Sequence, residues 1–447
     1  MDVEILSRIQ FAVNTIFHFL FVPLTIGLSI YVAVFETIAY VKKDATYEKL
    51  ARFFGKLFII NYAVGVVTGI VQEFQFGMNW SGYSRYVGDV FGAPLAIEAL
   101  SAFFLESTFL GVWIFGKDRL SKRTLTISIW LVAIASNISA YWIIIANSFM
   151  QDPVGYKIKD GRAVMTDFFA LITSVHARIQ FFHTFTASLV TAACFIIGVS
   201  AYKLLKQHSV ELFSHAFKIG IITCIIAVFG VALAGDMQGK YVVKTQPMKM
   251  AAVEALWKTE KSADFSIVAG INEEKEEKTF ALQVPGLLSF LATGNFDAEV
   301  LGIKDIQAKD VQQYGKGNYI PPVTIVFWSF RFMIGMAGLM LLVCLLALFH
   351  MKNKKFVNTK WLLKLSIFMI FLPYISNSCG WIVTEVGRQP WIVYGLLTVK
   401  QAVSKNISGG MVLFSLIGFI LLYTAITVVT IVLMTKTVKQ EDKGVEA

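Results

Sequence analysis

The sequence predicts an all-α polytopic membrane protein, with about nine transmembrane helices and a long extracytoplasmic loop between the sixth and seventh. Three observations predict it. Hydrophobic residues fill 56% of 447 positions and charged residues only 16%, giving a mean hydropathy of +0.64. Apolar runs recur at the roughly 20 residues that a helix needs to cross the hydrocarbon core. Basic residues gather in alternate connections between those runs. Lipid offers backbone groups no water, so such runs must be helices or closed barrels. These runs are too long and too continuously apolar for barrel strands.

The predicted spans are 12–41, 53–79, 93–116, 123–147, 176–205, 215–236, 322–351, 361–386 and 409–436. The first residues, MDVEILSRIQ, are mixed in charge, and no small-residue cleavage site follows. The first run therefore reads as a span, not a signal peptide. The first connection carries Lys42, Lys43, Lys49, Arg52 and Lys56, and the third Lys117, Arg119, Lys122 and Arg123. The fifth carries Lys203, Lys206 and Lys218, and the seventh Lys352, Lys354, Lys355, Lys360 and Lys364. The tail has Lys436, Lys439 and Lys443, whereas the connection at 80–92 has only Arg85 against Asp89. By the positive-inside rule the odd connections and the C-terminus face the cytoplasm, and the N-terminus lies outside. The net charge of +10 is this loop bias and does not describe a nucleic-acid surface.

Three regions follow: helices one to six over 1–236, an extracytoplasmic loop over 237–321, and helices seven to nine with a short tail over 322–447. The loop's charge run, EEKEEK at 273–278, reads as a solvated face. No internal repeat is visible. The four cysteines, Cys194, Cys224, Cys344 and Cys379, are scattered through apolar segments without a CxxC or CxxCH pair. They offer neither a thiolate metal site nor covalent c-type haem attachment, and read as small buried residues.

Ionisable residues within spans are costly and are functional candidates by default. Here they are His18, Glu73, Glu98, Glu106, His176, Arg178, His183, Arg331 and Glu385, with Arg388 just beyond the eighth span. The topology places His18, Glu73, Glu98, His183, Arg331 and Glu385 at one depth, toward the outer face. Glu106 lies eight residues beyond Glu98, about 12 Å deeper at the α-helical rise and on nearly the same face. Histidine or methionine serves as an axial ligand to buried haem, and Met333 follows Arg331 by two residues. A guanidinium pairs readily with a carboxylate such as a haem propionate. Taken singly, each residue has a plainer explanation. A lone histidine bonds a neighbouring helix, Met333 fills core, Glu385 with Arg388 makes a boundary salt bridge, and Trp381 and Trp391 belong to an interfacial aromatic belt. His208, His215 and His350 read as solvated, and His176 as a residue of the water boundary. Their joint occurrence at one depth favours a cofactor site.

Eight stretches carry a resemblance: SRIQFA (7–12), FHFLFVPLTIG (17–27), FQFGMNWS (74–81), GAPLAIE (92–98), FFLEST (103–108), FFHT (181–184), FRFM (330–333) and GWIVTEVGRQPW (380–391). In these the chain resembles subunit I of the cytochrome bd quinol:oxygen oxidoreductases, in the form with a short quinol loop. The resemblance implies a terminal respiratory oxidase of the bacterial cell membrane that oxidises quinol at the outer face. Oxygen would be reduced to water with cytoplasmic protons, generating a proton-motive force without pumping. It implies two b-type haems and one d-type haem, although some relatives carry b haem where others carry d, and the ligands do not distinguish them. His183 and Met333 match the axial ligands of a low-spin haem, and His18 and Glu385 those of two high-spin haems. Glu98 matches a carboxylate beside that pair, either a ligand or a proton acceptor, and Glu106 matches a proton-path residue. Arg8 and Arg331 match basic groups near the haems, and Arg388 and Trp381 belong to the motif around Glu385. Lys249 and Glu254, in KMAAVEALW, match residues linked to quinol oxidation. Expected partners are a second membrane subunit, sometimes a very small third, quinol, O2 and lipid, with no nucleic acid. A secondary transporter would instead show inverted repeats or interrupted midplane helices. A ferric reductase would need more paired intramembrane histidines than this chain has.

Overall fold

The computed structural model describes residues 2–352 and 356–440. Lys354, Lys355 and Lys443, counted above among the loop and tail cations, lie outside the described residues. Among the described residues nine helices are long and apolar enough to cross a membrane: Val3–Lys42, Ala45–Met78, Ser81–Phe115, Lys122–Gln151, Phe168–Leu205, Val210–Thr245, Val323–Met351, Lys360–Val386 and Gly409–Lys439. Number and order follow the sequence. Most are longer than the apolar runs, because polar first and last turns stay helical where a cap satisfies their backbone groups. Asp44 accepts from the Thr46 amide, Ser121 from Thr124 and Ser174 from Ala177.

Prolines shape the interiors. The first span breaks at Leu20 and Phe21, and Pro23 opens its second half, Val22–Lys42. The eighth breaks between Phe368 and Leu372, again with proline, Pro373, in the restarting turn. Proline lacks the N–H that an interior turn needs, but is at home in a first turn. Pro94 sits inside the third span, and a π-helical turn, Glu98–Phe103, follows it.

Three expectations are corrected. Residues 80–92 form no loop; the third helix starts at Ser81. Its first amide donates to the Ser404 hydroxyl at 2.9 Å, a cap 323 residues away that local sequence cannot reveal. Lys203 is not in a loop but is buried in the fifth span, its ammonium 5.8 Å and 5.5 Å from the Phe53 and Phe213 rings. His176 is not at a water boundary. It is buried, with its ring 5.3 Å from that of Tyr241.

The 237–321 segment is a folded cap on one end of the bundle. The sixth helix runs on to Thr245, and a short helix, Pro247–Val253, follows. An antiparallel hairpin pairs Phe265–Asn272 with Glu277–Val284. The helices Leu287–Thr293 and Ile303–Tyr314 complete the cap. The EEKEEK run forms the hairpin tip and is only partly a free solvated face. Glu273 caps the seventh span by accepting from the Thr324 amide at 2.8 Å, and Lys278 reaches the Ser266 hydroxyl at 2.9 Å. After the eighth span, a small hairpin brings Trp391 under the cap, where Tyr319 stacks on it at 5.5 Å and Tyr314 meets it edge-on at 4.8 Å.

The main apolar core lies at the opposite end, where Leu28, Phe35, Phe54, Phe58, Ile196 and Phe217 are fully buried. Gly27 lets the first and fifth spans touch: a Cβ there would meet the Ser188 carbonyl and sit 2.6 Å from the Ala192 Cβ. Gly27→Leu should therefore lower the thermal unfolding midpoint of the purified complex, at a cost of about 1–3 kcal/mol or more for overpacking. Gly111→Leu, whose Cβ would meet nothing within 4 Å, should leave the midpoint within error.

Candidate active site

The functional candidates gather at the capped end. Arg331, on the seventh span, is 7% exposed, and Glu254, just after the short loop helix, 2%. They form a two-pronged ion pair, with Arg331 Nη2 2.6 Å from Glu254 Oε2 and Nη1 3.2 Å from Oε1. Arg331 also donates to the Ser266 carbonyl at 2.8 Å and the Val253 carbonyl at 3.2 Å, and Phe327 lies 4.2 Å beneath the guanidinium. Four of its five donors are thus committed to the cap, two of them to Glu254. Burial pushes the Glu254 carboxyl up, and the guanidinium beside it opposes that shift.

Met333 follows on the same helix. Its sulfur sits 3.2 Å from where a Cβ on Gly380 would be, and its carbonyl accepts from the Ser376 hydroxyl at 3.0 Å. His183 lies against the sixth span, its Cε1 3.5 Å from the position of a Cβ on Gly235. Its Nδ1 is enclosed without a well-formed hydrogen bond, although the Val231 carbonyl lies alongside the ring.

His18 ends the first half of the broken first span. Its Nδ1 is 2.9 Å from the Thr68 hydroxyl. Thr68 directs that hydroxyl at the Val64 and Gly65 carbonyls, each at 3.0 Å. The threonine proton is therefore committed, so the hydroxyl accepts from His18 Nδ1–H. This tautomer leaves a lone pair on Nε2. A Cβ on Gly69 would stand 3.2 Å from the ring. Trp381 meets Phe19 edge-on at 5.2 Å, which brings the eighth span beside His18.

Glu385 is one residue from the end of that eighth helix. Its Oε1 accepts from Asn147 Nδ2 at 3.0 Å and Gln151 Nε2 at 3.2 Å, and its Oε2 pairs with Arg388. A carboxylate offers about four lone-pair directions, so one remains open, on Oε2. Arg388 is buried and also donates to the Ile392 carbonyl. Lys249, 5% exposed, holds the other side of Gln151 through its Oε1 at 2.6 Å. Burial, reinforced by Arg388 and opposed by Glu385, lowers its ammonium to about 7.

Glu98 and Glu106 both face the fourth span. Glu98 accepts from Ser139 at 2.6 Å and Glu106 from Ser136. Those serines are one helical turn apart, about 4.5 Å along the axis, whereas the glutamates are eight residues apart. The two carboxylates therefore lean toward each other. Arg8 stands apart, ten residues before His18 near Glu4, and among the described residues it shares no hydrogen bond with the rest of the site.

Sequence reading found the charged members and missed their neutral partners Thr68, Asn147, Gln151, Ser136 and Ser139. One signal was present: Ser136, Ser139, Asn147 and Gln151 recur at helical spacing along one face of the fourth span. Among the described residues no three His, Cys, Asp or Glu side chains converge on a bare ion. His18, His183 and Met333 each pack directly against a glycine of a neighbouring helix, Gly69, Gly235 and Gly380, so that each stands isolated from further protein donors. That arrangement suits a macrocycle, which brings its own equatorial donors and asks the protein for axial ones. Side chains of Asn14, Gln75 and Tyr83 and the Arg388 Nε are buried without partners, as expected of groups awaiting a polar substituent or water.

A family model described as cytochrome bd terminal oxidase subunit I matches residues 6–442. The chain is 51% identical to cytochrome bd ubiquinol oxidase subunit 1 of Bacillus subtilis (strain 168), over 100% of this chain and 95% of that one. It is 40% identical to cytochrome bd-II ubiquinol oxidase subunit 1 of Escherichia coli (strain K12), over 97% and 96%. The solved bd oxidase from Geobacillus thermodenitrificans superposes with a TM-score of 0.90 at 28% identity, covering 98% of both chains. The chain belongs to the cytochrome bd terminal oxidase subunit I family.

Proposed function

We propose that this chain is the haem-bearing subunit of a quinol oxidase that draws protons for oxygen reduction from one membrane face and releases quinol protons at the other. Family membership makes it a subunit of a multi-subunit, haem-containing terminal oxidase in a bacterial membrane, with quinol as donor and O2 as acceptor. The finer assignments are ours. His183 and Met333 hold a low-spin b haem; His18 Nε2 and the open lone pair of Glu385 hold one high-spin haem each, one of b and one of d type. Bound there, the haems supply the electron storage and oxygen chemistry that side chains lack. The single observation that carries the assignment is the 2.9 Å contact of His18 Nδ1 with the Thr68 hydroxyl, whose own carbonyl acceptors argue for a proton on Nδ1 and a free Nε2.

The capped end faces outside, with the N-terminus, and the C-terminus is cytoplasmic, in line with the lysine bias. Lys249 and Glu254 meet quinol beneath the cap. The neutral Lys249 amine accepts a hydroxyl proton, and Glu254, braced by Arg331, orients the ring. Two quinols yield two quinones and four protons outside, and one O2 takes up four protons from the cytoplasm to give two waters. Glu106 and then Glu98, each braced by a serine, carry those protons. Trp381, one turn before Glu385, packs on Phe19 beside His18, and Arg388 balances the Glu385 charge. Arg8 serves as a basic group farther along the first helix. The partners are a second membrane subunit and a very small third.

Haem extraction and a reduced-minus-oxidised spectrum of the purified complex should give two b haems and one chlorin-type d haem. Three b haems would correct the third cofactor alone, and a cofactor-replete complex without haem would overturn the ligand assignments. His183→Ala should abolish the low-spin bands while the chain still inserts. Thr68→Val removes the acceptor that fixes the His18 tautomer. It should weaken haem retention at His18 about 10- to 100-fold, the usual cost of losing a ligand's outer partner, read as haem lost on dilution. The Lys249 amine is protonated below about 7 and neutral above it. Quinol kcat/KM should therefore rise with pH through that value. Lys249→Arg, always charged, should flatten the rise; an unchanged profile would count against Lys249 as proton acceptor.

A further inference from the structure

The side chain of Gln151 sits between the proposed quinol residues and a proposed haem ligand, and is fully buried. Its Oε1 accepts from Lys249 Nζ at 2.6 Å and from Gln246 Nε2 at 3.1 Å. Its Nε2 donates to Glu385 Oε1 at 3.2 Å, with the Thr384 carbonyl at 3.5 Å. Gln246 also donates to the Gln151 carbonyl at 2.8 Å, so the backbone is clamped as well. The amide has one workable orientation. Turned over, it would set its NH2 against the Gln246 amide donor and its oxygen against the Glu385 carboxylate and the Thr384 carbonyl, donor facing donor and acceptor facing acceptor.

We infer that Gln151 is a positioning residue that aims Lys249 and Glu385 at once, making the quinol pocket and the Glu385 site one hydrogen-bonded unit. It touches neither substrate nor cofactor in this reading, which rests on the roles proposed above for Lys249 and Glu385. Glutamine is suited to the task because it is neutral and carries both a donor and an acceptor. An ionised carboxylate would accept from Lys249 but repel Glu385, and an ammonium would do the reverse. Lys249 is further fixed by Gly387, where a Cβ would come 3.0 Å from the lysine Cγ. The loop residue is thereby held against the turn that follows Glu385.

The test uses the purified complex with Gln151→Leu and the near-isosteric Gln151→Glu. Three readouts are taken: KM against kcat for a short-chain quinol, haem content by extraction, and the optical signature of the high-spin haems. Gln151→Leu should raise KM about tenfold, the cost of one hydrogen bond to a charged group, and shift or deplete the high-spin signal. Gln151→Glu keeps the acceptor for Lys249 and loses the donor to Glu385. It should hold KM within about twofold, yet still disturb the high-spin signal. That split is one that general loss of packing would not produce. A wild-type KM together with a wild-type high-spin spectrum in the leucine variant overturns the inference. If that variant does not assemble, an unaltered high-spin spectrum in Gln151→Glu overturns it alone. A wild-type complex lacking haem or quinol oxidation would instead overturn the proposed function, so the two failures are told apart.

Discussion

Arg331 and Glu254 leave water together. A guanidinium or a carboxylate buried alone costs several kcal/mol even after relaxation, and breaking such a pair costs about 3–5 kcal/mol. Each therefore fixes the other. Glu254 belongs to the cap and Arg331 to the seventh span, so the pair binds loop to bundle two residues before Met333. The cap hairpin joins the same knot through the Ser266 carbonyl, and its tip returns to the start of that helix through Glu273. This desolvated contact ties the 237–321 segment to the seventh span, while Gln151 holds the segment's lysine from the fourth.

The remaining site follows the same constraint with neutral partners. Glu385 needs Asn147, Gln151 and Arg388; Glu98 and Glu106 each need a serine; His18 needs Thr68. Hydroxyls and amides satisfy a charge at membrane depth without adding another, so the fourth span can stay apolar enough to insert while lining the site. The charged partners of the site, Arg331 and Arg388, lie at the capped end, where helix ends and loop carbonyls are close. The opposite end is packed almost wholly by hydrocarbon and rings. The bundle thus divides into a dry structural half and a polar working half.

Broken helices serve that division. The first span interrupts itself immediately after His18, and the eighth restarts at Leu372 before carrying Glu385 to its last turn. The π turn that begins at Glu98 sets this carboxylate against Ser139 while Glu106 reaches Ser136. Irregular backbone is tolerated at membrane depth where it lines a site, and here each irregularity lies on an element carrying a proposed ligand or proton carrier.

Much of this was legible in the chain itself. Hydropathy determined the number, order and approximate centres of the nine helices, because crossing lipid allows the backbone no alternative. The rarity of ionisable residues within apolar runs singled out His18, Glu98, Glu106, His183 and Glu385, and motifs joined to them Met333, Lys249 and Glu254. What the sequence could not decide were the partners. Arg331 reads as a neighbour of Met333, yet it is claimed by a glutamate 77 residues away; the helix at Ser81 is capped by a serine 323 residues away. Thr68 has no local mark, since a neutral polar residue is cheap almost anywhere in a helix, and the helical spacing that marks Gln151 does not name its partners. Their roles arise from which atoms they meet. Which groups must be buried is a property of composition and spacing. Which group answers each buried charge is set only when the helices pack, because hydrogen bonds act over about 3 Å and the chain brings those atoms together from far apart.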